Sequence, residues 1–417
     1  MARIAWYSNA CHIPSGYGAQ TAQVVHRMIK DGHEAALVAN HGAPVLLNCA
    51  HGHPIFPEGL ARYSIDAAPD TMHDWIGDQP GFGVVLFDLW PLVGVEGFKT
   101  LNLACWTPID HTPVPSQVVK FLQDGGHVGV AMSQFGREEL RNAGIPEDRL
   151  AYIPHAIDRS VFRDLGKEGR AAMGIPADAF LVTTVAANRG RIPVRKALGE
   201  MADAMATFMR DRPDAYWMLH TEPNGLSEGV NIPRLMNAVG IDPQRVRYPH
   251  PRQFRNGIPD TAIAALHSAS DVNLLTSMGE GFGIPVIESQ ACGTPAIVSD
   301  ATAQPELLGP HGRKVQVQRV WDEYQASWFA IPNVAAITQA LQETYEETKG
   351  GEIDRAAISA SMERYDADQV YETGWKPLAA RMLARGKTRS PGTREDTPAP
   401  VNRAARRAAA RGGRSKF

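Results

Sequence analysis

The stretch Asp271-Val-Asn-Leu-Leu-Thr-Ser-Met-Gly-Glu-Gly-Phe-Gly-Ile-Pro-Val-Ile-Glu288 decides the fold. Asp271–Thr276 reads as a short buried strand, and Pro285 suits the first turn of a helix. Between them Gly279, Gly281 and Gly283 let backbone come close to a ligand, and the helix N-terminus offers unpaired N–H groups to an anion. Glu280 sits in the turn, and Glu288 lies about one helical turn inside, an E-x7-E spacing. One carboxylate in a turn and one on a helix suit holding the hydroxyls of a nucleotide sugar.

Other readings of these residues fit less well. The dinucleotide pattern G-x-G-x-x-G fails, because Gly281-Phe-Gly283 is followed by Ile, Pro and Val. A glycosidase pair needs two carboxylates facing each other across about 5–10 Å. Glu280 and Glu288 are divided between turn and helix, an awkward arrangement for that work. The plain alternative is a turn followed by a helix with a solvated glutamate.

Working outward, strands and helices alternate along the chain, which argues for parallel α/β sheets. Strands are expected at Arg3–Asn9, Ala35–Asn40, Val84–Trp90, Leu101–Pro108 and Val128–Ser133, with helices at Gln20–Lys30 and Gly136–Ala143. After Asp158–Gly174 the alternation restarts. Strands are expected at Ala179–Ala187, Ala215–Thr221, Asp271–Thr276 and Thr294–Ser299, and helices at Arg195–Arg210, Ile232–Val239 and Thr261–Ser268. The pattern predicts two doubly wound Rossmann-like domains facing a cleft, one over residues 1–165 and one over residues 166–364. Residues 41–80, rich in His, Pro and Gly, give no clear element, and no repeat at 20–50 residues is present.

The chain has 417 residues, ample for two cores, with 44% hydrophobic residues and a mean hydropathy of −0.24. No segment approaches the ~20 apolar residues of a membrane span, and the N-terminus runs straight into a strand, so a cytoplasmic protein is expected. Cys11, Cys49, Cys105 and Cys292 have no C-x-x-C spacing and read as reduced. Cys49-Ala-His-Gly-His53 could chelate a metal, but no second ligand pair stands at suitable spacing, so no metal is expected. From Lys387 onward nine basic and two acidic residues leave the preceding 386 at −10, for a chain total of −3. An acidic body makes nucleic acid a poor partner. The tail over residues 387–417 reads as disordered.

The motif resembles the signature of retaining GT-B glycosyltransferases, the large family 4 group. Ile153-Pro-His-Ala-Ile-Asp158 is similar to the family's interdomain Pro-His-Gly-x-Asp segment, with Ala156 in place of the usual Gly. The matches run over residues 1–385. The resemblance implies that Glu288 binds the ribose and that Glu280 lies near the donor sugar, with the N–H groups of Gly281, Phe282 and Gly283 helping to hold sugar or phosphate. It also implies a loop beside the donor diphosphate and acceptor, for which Gly16 and Gly18 in Ser8–Gly18 are candidates. His111, or its neighbour Asp110, would contact the donor sugar at a strand end. The family uses an Arg and a Lys about five residues apart against the pyrophosphate. Arg191 and Lys196 match this spacing, and Arg189 and Arg195 match it less well. A last helix commonly crosses back onto the first domain, here over about 365–386, with Tyr371–Leu383 as the candidate.

The implied function is metal-independent transfer of a hexose from a nucleotide diphosphate sugar, with retention, to a small molecule, lipid, glycan or protein. The Ala/Arg-rich tail and unadorned enzyme also resemble phage glycosyltransferases that decorate virion proteins. Three alternatives stay open. They are a binding module that does not transfer, a DNA-modifying glucosyltransferase, and a sugar-nucleotide epimerase. Asp366-Ala-Asp368 spells D-x-D, but it falls in a polar helical region and not after a buried strand.

Overall fold

The computed structural model describes residues 1–49, 52–190 and 194–386. The first sheet is built from β1 (Arg3–Asn9), β2 (Glu34–His41), β3 (Leu47–Asn48), β4 (Pro54–Phe56), β5 (Gly81–Leu86), β6 (Leu103–Thr107), β7 (Val128–Ala131) and β8 (Leu150–Tyr152). Its order is β3-β4-β2-β1-β5-β6-β7-β8, and every pair is parallel except β3 with β4. All six residues of β5 and all five of β6 are buried, as expected of parallel strands covered on both faces.

The second sheet contains β9 (Phe180–Val185), β10 (Ala215–His220), β11 (Val246–Arg247), β12 (Val272–Leu275), β13 (Ala296–Ser299) and β14 (Arg313–Val315). It is parallel throughout, in the order β11-β10-β9-β12-β13-β14. Two further strands, β15 (Val317–Asp322) and β16 (Ser327–Pro332), form an antiparallel hairpin.

Several element ends differ from the sequence reading, each for a local reason. The first helix begins at Gly16 and not at Gln20, because the Ser15 hydroxyl caps it by accepting from the Gly18 N–H. The strand expected to reach Trp90 stops at Leu86, since Pro91 turns Trp90–Leu92 into a 3-10 segment. Residues 41–80 supply β3, β4 and the helix Ala68–Ile76. The β15–β16 hairpin has no counterpart in the sequence reading.

After the second sheet the chain returns to the first. Ile157 pairs with Asp366, a π-helical turn spans Tyr371–Trp375, and a helix follows over Lys376–Ala384. Trp375 is buried between Trp6 and Trp106, with ring centroids 5.2 and 4.8 Å away. Asn102 donates to the Met382 carbonyl, and Arg381 donates to that of Leu150. Among the described residues, no helix is long and apolar enough to cross a membrane. Residues 387–417, which carry the basic tail, lie outside the described residues.

Candidate active site

Each sheet reverses its winding at one place. In the first the chain goes from β1 outward to β2, then restarts on the other side of β1 at β5; in the second, β10 and β12 flank β9. Loops leaving strands beside such a switch point diverge and open a crevice, which is where open α/β sheets bind ligands. Here the two sets of loops meet. A Cβ on Gly281 would run into Pro108, and one on Gly279 into the Asp110 carbonyl, so glycine is what lets the loop after β12 lie against the loop after β6.

The contact draws charged side chains together from three loops. Lys196, from the loop after β9, is ion-paired with Glu280, from the loop after β12. Arg195 Nη1 lies 3.1 Å from Glu280 Oε2 and 3.6 Å from Asp110 Oδ2, and it donates to the Gly279 carbonyl. Asp110 Oδ1 is 2.7 Å from His111 Nδ1. The His111 ring is buried against Phe329 of β16, at 3.9 Å between centroids, and its Nε2 lies 3.7 Å from Asp322. The hairpin thus covers the loop after β6, fastened by Trp328 N–H donating to Thr112 O at 2.9 Å and by Ser327 donating to Pro113 O.

The charges hold one another in place. Burial pushes the Glu280 carboxyl up, but Lys196 and Arg195 outweigh it and bring it down to about 2. Burial likewise opposes ionisation of Asp110, and His111 with Arg195 prevails, leaving it below the usual carboxylate range. Asp88, just beyond β5, goes the other way: burial and the neighbouring Asp110 push it up to about 6. A carboxyl raised in the folded state supports folding at low pH and loses that contribution as pH rises through about 6. Asp88→Asn is therefore expected to stabilise the protein by about 1–3 kcal/mol near pH 8 and by little near pH 4. Urea denaturation at both pH values checks this, and an equal shift at both would contradict it.

The remaining sequence candidates are dispersed. Glu288 lies on the helix Ile284–Ala291, 3.7 Å from His267 Nε2 and beside Asp260, whose carboxyl is raised by burial and by the charges of Glu288 and Asp158. None of the described contacts joins Glu288 to Glu280. Gly283, at φ 122°, has a backbone only glycine adopts readily, and it starts that helix. The Phe282 ring is a packing group, buried 5.2 Å from His155 and 5.7 Å from Tyr365. Burial pushes the His155 imidazole down to about 3, so a neutral ring fills this joint between the halves. Gly16 faces Ile284 across the cleft, whereas a Cβ on Gly18 would strike the Ile13 carbonyl, which makes Gly18 a requirement of its own turn.

Arg191 lies outside the described residues. Arg189 is exposed, and Arg195, which matched the family spacing less well, sits at the centre of the charge cluster. Sequence reasoning passed over Asp88 because it lay inside the strand expected to reach Trp90. It also passed over the half-buried Tyr17, whose hydroxyl is pushed up by desolvation and by Asp88 and Asp110. The Trp90-Pro91 pair, four residues beyond the end of β5 at Leu86, is the signal that would have exposed Asp88.

Residues 250–349 match the family described as Glycosyl transferases group 1. The D-inositol 3-phosphate glycosyltransferase of Thermobispora bispora is 30% identical over 237 residues, covering 54% of this chain and 52% of that protein. The MMP alpha-(1->4)-mannosyltransferase of Mycolicibacterium hassiacum is 29% identical over 175 residues, covering 42% of this chain and 36% of that protein. The chain thus spans about half or less of the curated relatives it matches. Among solved structures, sucrose-phosphate synthase from Thermosynechococcus elongatus superposes with a TM-score of 0.72 at 15% identity, over 93% of this chain and 100% of that one. HepE from Anabaena in complex with UDP-glucose gives 0.67 at 15% identity, over 91% and 100%.

Proposed function

We propose that this chain, which carries a group 1 glycosyl transferase domain within a GT-B fold, transfers a hexose from a nucleotide diphosphate sugar to an acceptor with retention of configuration. The observation that carries the reading is the meeting of Arg195 and Lys196 after β9 and Glu280 after β12, at the switch point of the second sheet, with Asp110 and His111 after β6 of the first. A cleft between two such sheets suits a two-part ligand, with the nucleotide on one side and the acceptor on the other.

In the proposed reaction the bond between the donor's C1 and the diphosphate oxygen breaks towards an oxocarbenium-like state. Lys196 and Arg191 stabilise the charge that builds on the departing diphosphate, the work a metal ion does in other transferases. The acceptor hydroxyl oxygen then bonds to C1 on the same face, and its proton passes to the departing phosphate. No covalent enzyme intermediate is required. Asp110 holds His111 near the sugar, and Glu288 holds the ribose hydroxyls.

The test is release of nucleoside diphosphate from a panel of UDP-, GDP-, ADP- and dTDP-sugars with EDTA present. UDP-glucose is the first donor to try, since HepE is described in complex with it. Release from one donor, lost in Glu288→Ala, is the expected result. Tight donor binding with no turnover across an acceptor panel would favour a binding module. A new sugar nucleotide as product would make the protein an epimerase. The acceptor is proposed to be a small molecule, glycan or protein, and the proposed setting is the cytoplasm, of a phage host if the gene is phage-encoded.

A further inference from the structure

Away from the charge cluster, three metal-ligating side chains meet that are scattered in the sequence. Cys11 lies in the loop after β1, Cys49 directly after β3, and His53 directly before β4. Cys11 Sγ is 3.6 Å from Cys49 Sγ, and one ligand atom from each of Cys11, Cys49 and His53 lies within 4.8 Å of the others. A tetrahedral ion with thiolates at ~2.3 Å and an imidazole at ~2.0–2.1 Å sets its ligand atoms about 3.6–3.8 Å apart. The sulfur pair already has that separation, far beyond the ~2.05 Å of a disulfide.

The backbone around the cluster is held independently of any ion. Cys49 N–H donates to His53 O at 2.9 Å, and Gly52 N–H donates to Cys49 O at 2.8 Å. These bonds hold Cys49 and His53, at a C-x3-H spacing, in place beside Cys11. His53 is buried and both thiols are half-buried, so an ion here would be shielded yet reachable. Two thiolates and a neutral imidazole would balance the charge of a divalent cation.

We propose that Cys11, Cys49 and His53 hold a divalent cation of the zinc class, with water in the fourth position. Its effect is mechanical. The loop carrying Cys11 continues through Pro14, which lies beside Gly257, to Gly16, which faces Ile284. An ion would tie this loop, which leans on the second half of the molecule, to the β3–β4 edge of the first sheet. The site is separate from the proposed transfer chemistry, in which no metal takes part, and its test requires no turnover.

The experiment is cobalt titration of the full chain under reducing conditions, with zinc content measured on the protein as purified. One equivalent of cobalt with a sulfur-to-metal charge-transfer band is expected. The band should be absent from the Cys11→Ser/Cys49→Ser double variant, and affinity should fall by at least about tenfold in His53→Ala. A second measurement guards against a variant that fails to fold. In the parent protein zinc should protect Cys11 and Cys49 from alkylation, as located by peptide mapping. Cobalt bound without the band, unchanged alkylation at both thiols, or a metal-free protein two hydrogens lighter through a Cys11–Cys49 disulfide would each overturn the proposal.

Discussion

Lys196→Ala is expected to lower the turnover number for donor cleavage by about two to three orders of magnitude. The argument rests on how the charges are already committed. Arg195 is shared between Glu280 and Asp110, and Lys196 is paired with Glu280. A departing diphosphate adds negative charge to a region that holds three carboxylates, those of Asp88, Asp110 and Glu280. In the proposed reaction Lys196 turns from Glu280 towards the leaving group as the bond breaks, and Arg191, five residues earlier in the sequence, is the proposed second cation. Charge that appears mainly in the transition state affects turnover more than substrate binding, so the KM should move much less than the kcat. Arg191→Ala should show the same split.

The control for Lys196→Ala is stability, because its removal leaves the buried Glu280 with Arg195 as its remaining ion-pair partner among the described residues. Glu280 supports folding above its unfolded-state range, and this contribution is lost as pH falls through about 2. Without Lys196 the folded-state value rises, so the contribution shrinks and its loss is complete at higher pH, which thermal unfolding between about pH 3 and 5 would show. A variant that is folded at neutral pH yet keeps a kcat within threefold of the parent would remove Lys196 from the proposed chemistry.

Trp375→Ala is expected to destabilise the protein by about 3–5 kcal/mol, the usual cost of emptying a large buried aromatic site. Trp375 is 1% exposed and wedged between Trp6 and Trp106 of the first sheet, although it belongs to the returning segment. Trp106 in turn packs 4.5 Å from His155, and His155 packs against Phe282 in the glycine turn that carries Glu280. A cavity at Trp375 therefore loosens a continuous row of rings ending beside the charge cluster. Trp375 Nε1 is buried with no hydrogen-bond partner, so Trp375→Phe loses no polar contact and should cost much less than Trp375→Ala. Equilibrium urea unfolding decides the matter. A cost below about 1 kcal/mol for Trp375→Ala would mean that the returning segment is not anchored through this ring.

Legibility followed distance along the chain. The expected strands at Arg3–Asn9 and Ala35–Asn40 and the helix at Ile232–Val239 have their counterparts within a residue, because apolar runs and caps are written locally. The strand ending at Leu86 was misread because Phe87-Asp-Leu-Trp90 continues the apolar pattern while the backbone turns away. The β15–β16 hairpin was missed because its face is covered by the distant residues Thr112 and Pro113 and not by its own sheet.

The sequence by itself determined the α/β class, the two doubly wound series, and the turn that carries Glu280 ahead of a helix carrying Glu288. Those depend on periodicity, glycine and proline over stretches of about twenty residues. Only the tertiary structure decided that Arg195 joins Lys196 at Glu280, that Asp88 stands in the same field, and that Cys11 comes beside Cys49 and His53. Each of these pairings joins loops far apart in the chain. Strand order and the close glycine contact between the two halves bring them together, and no local pattern records which side chains will meet.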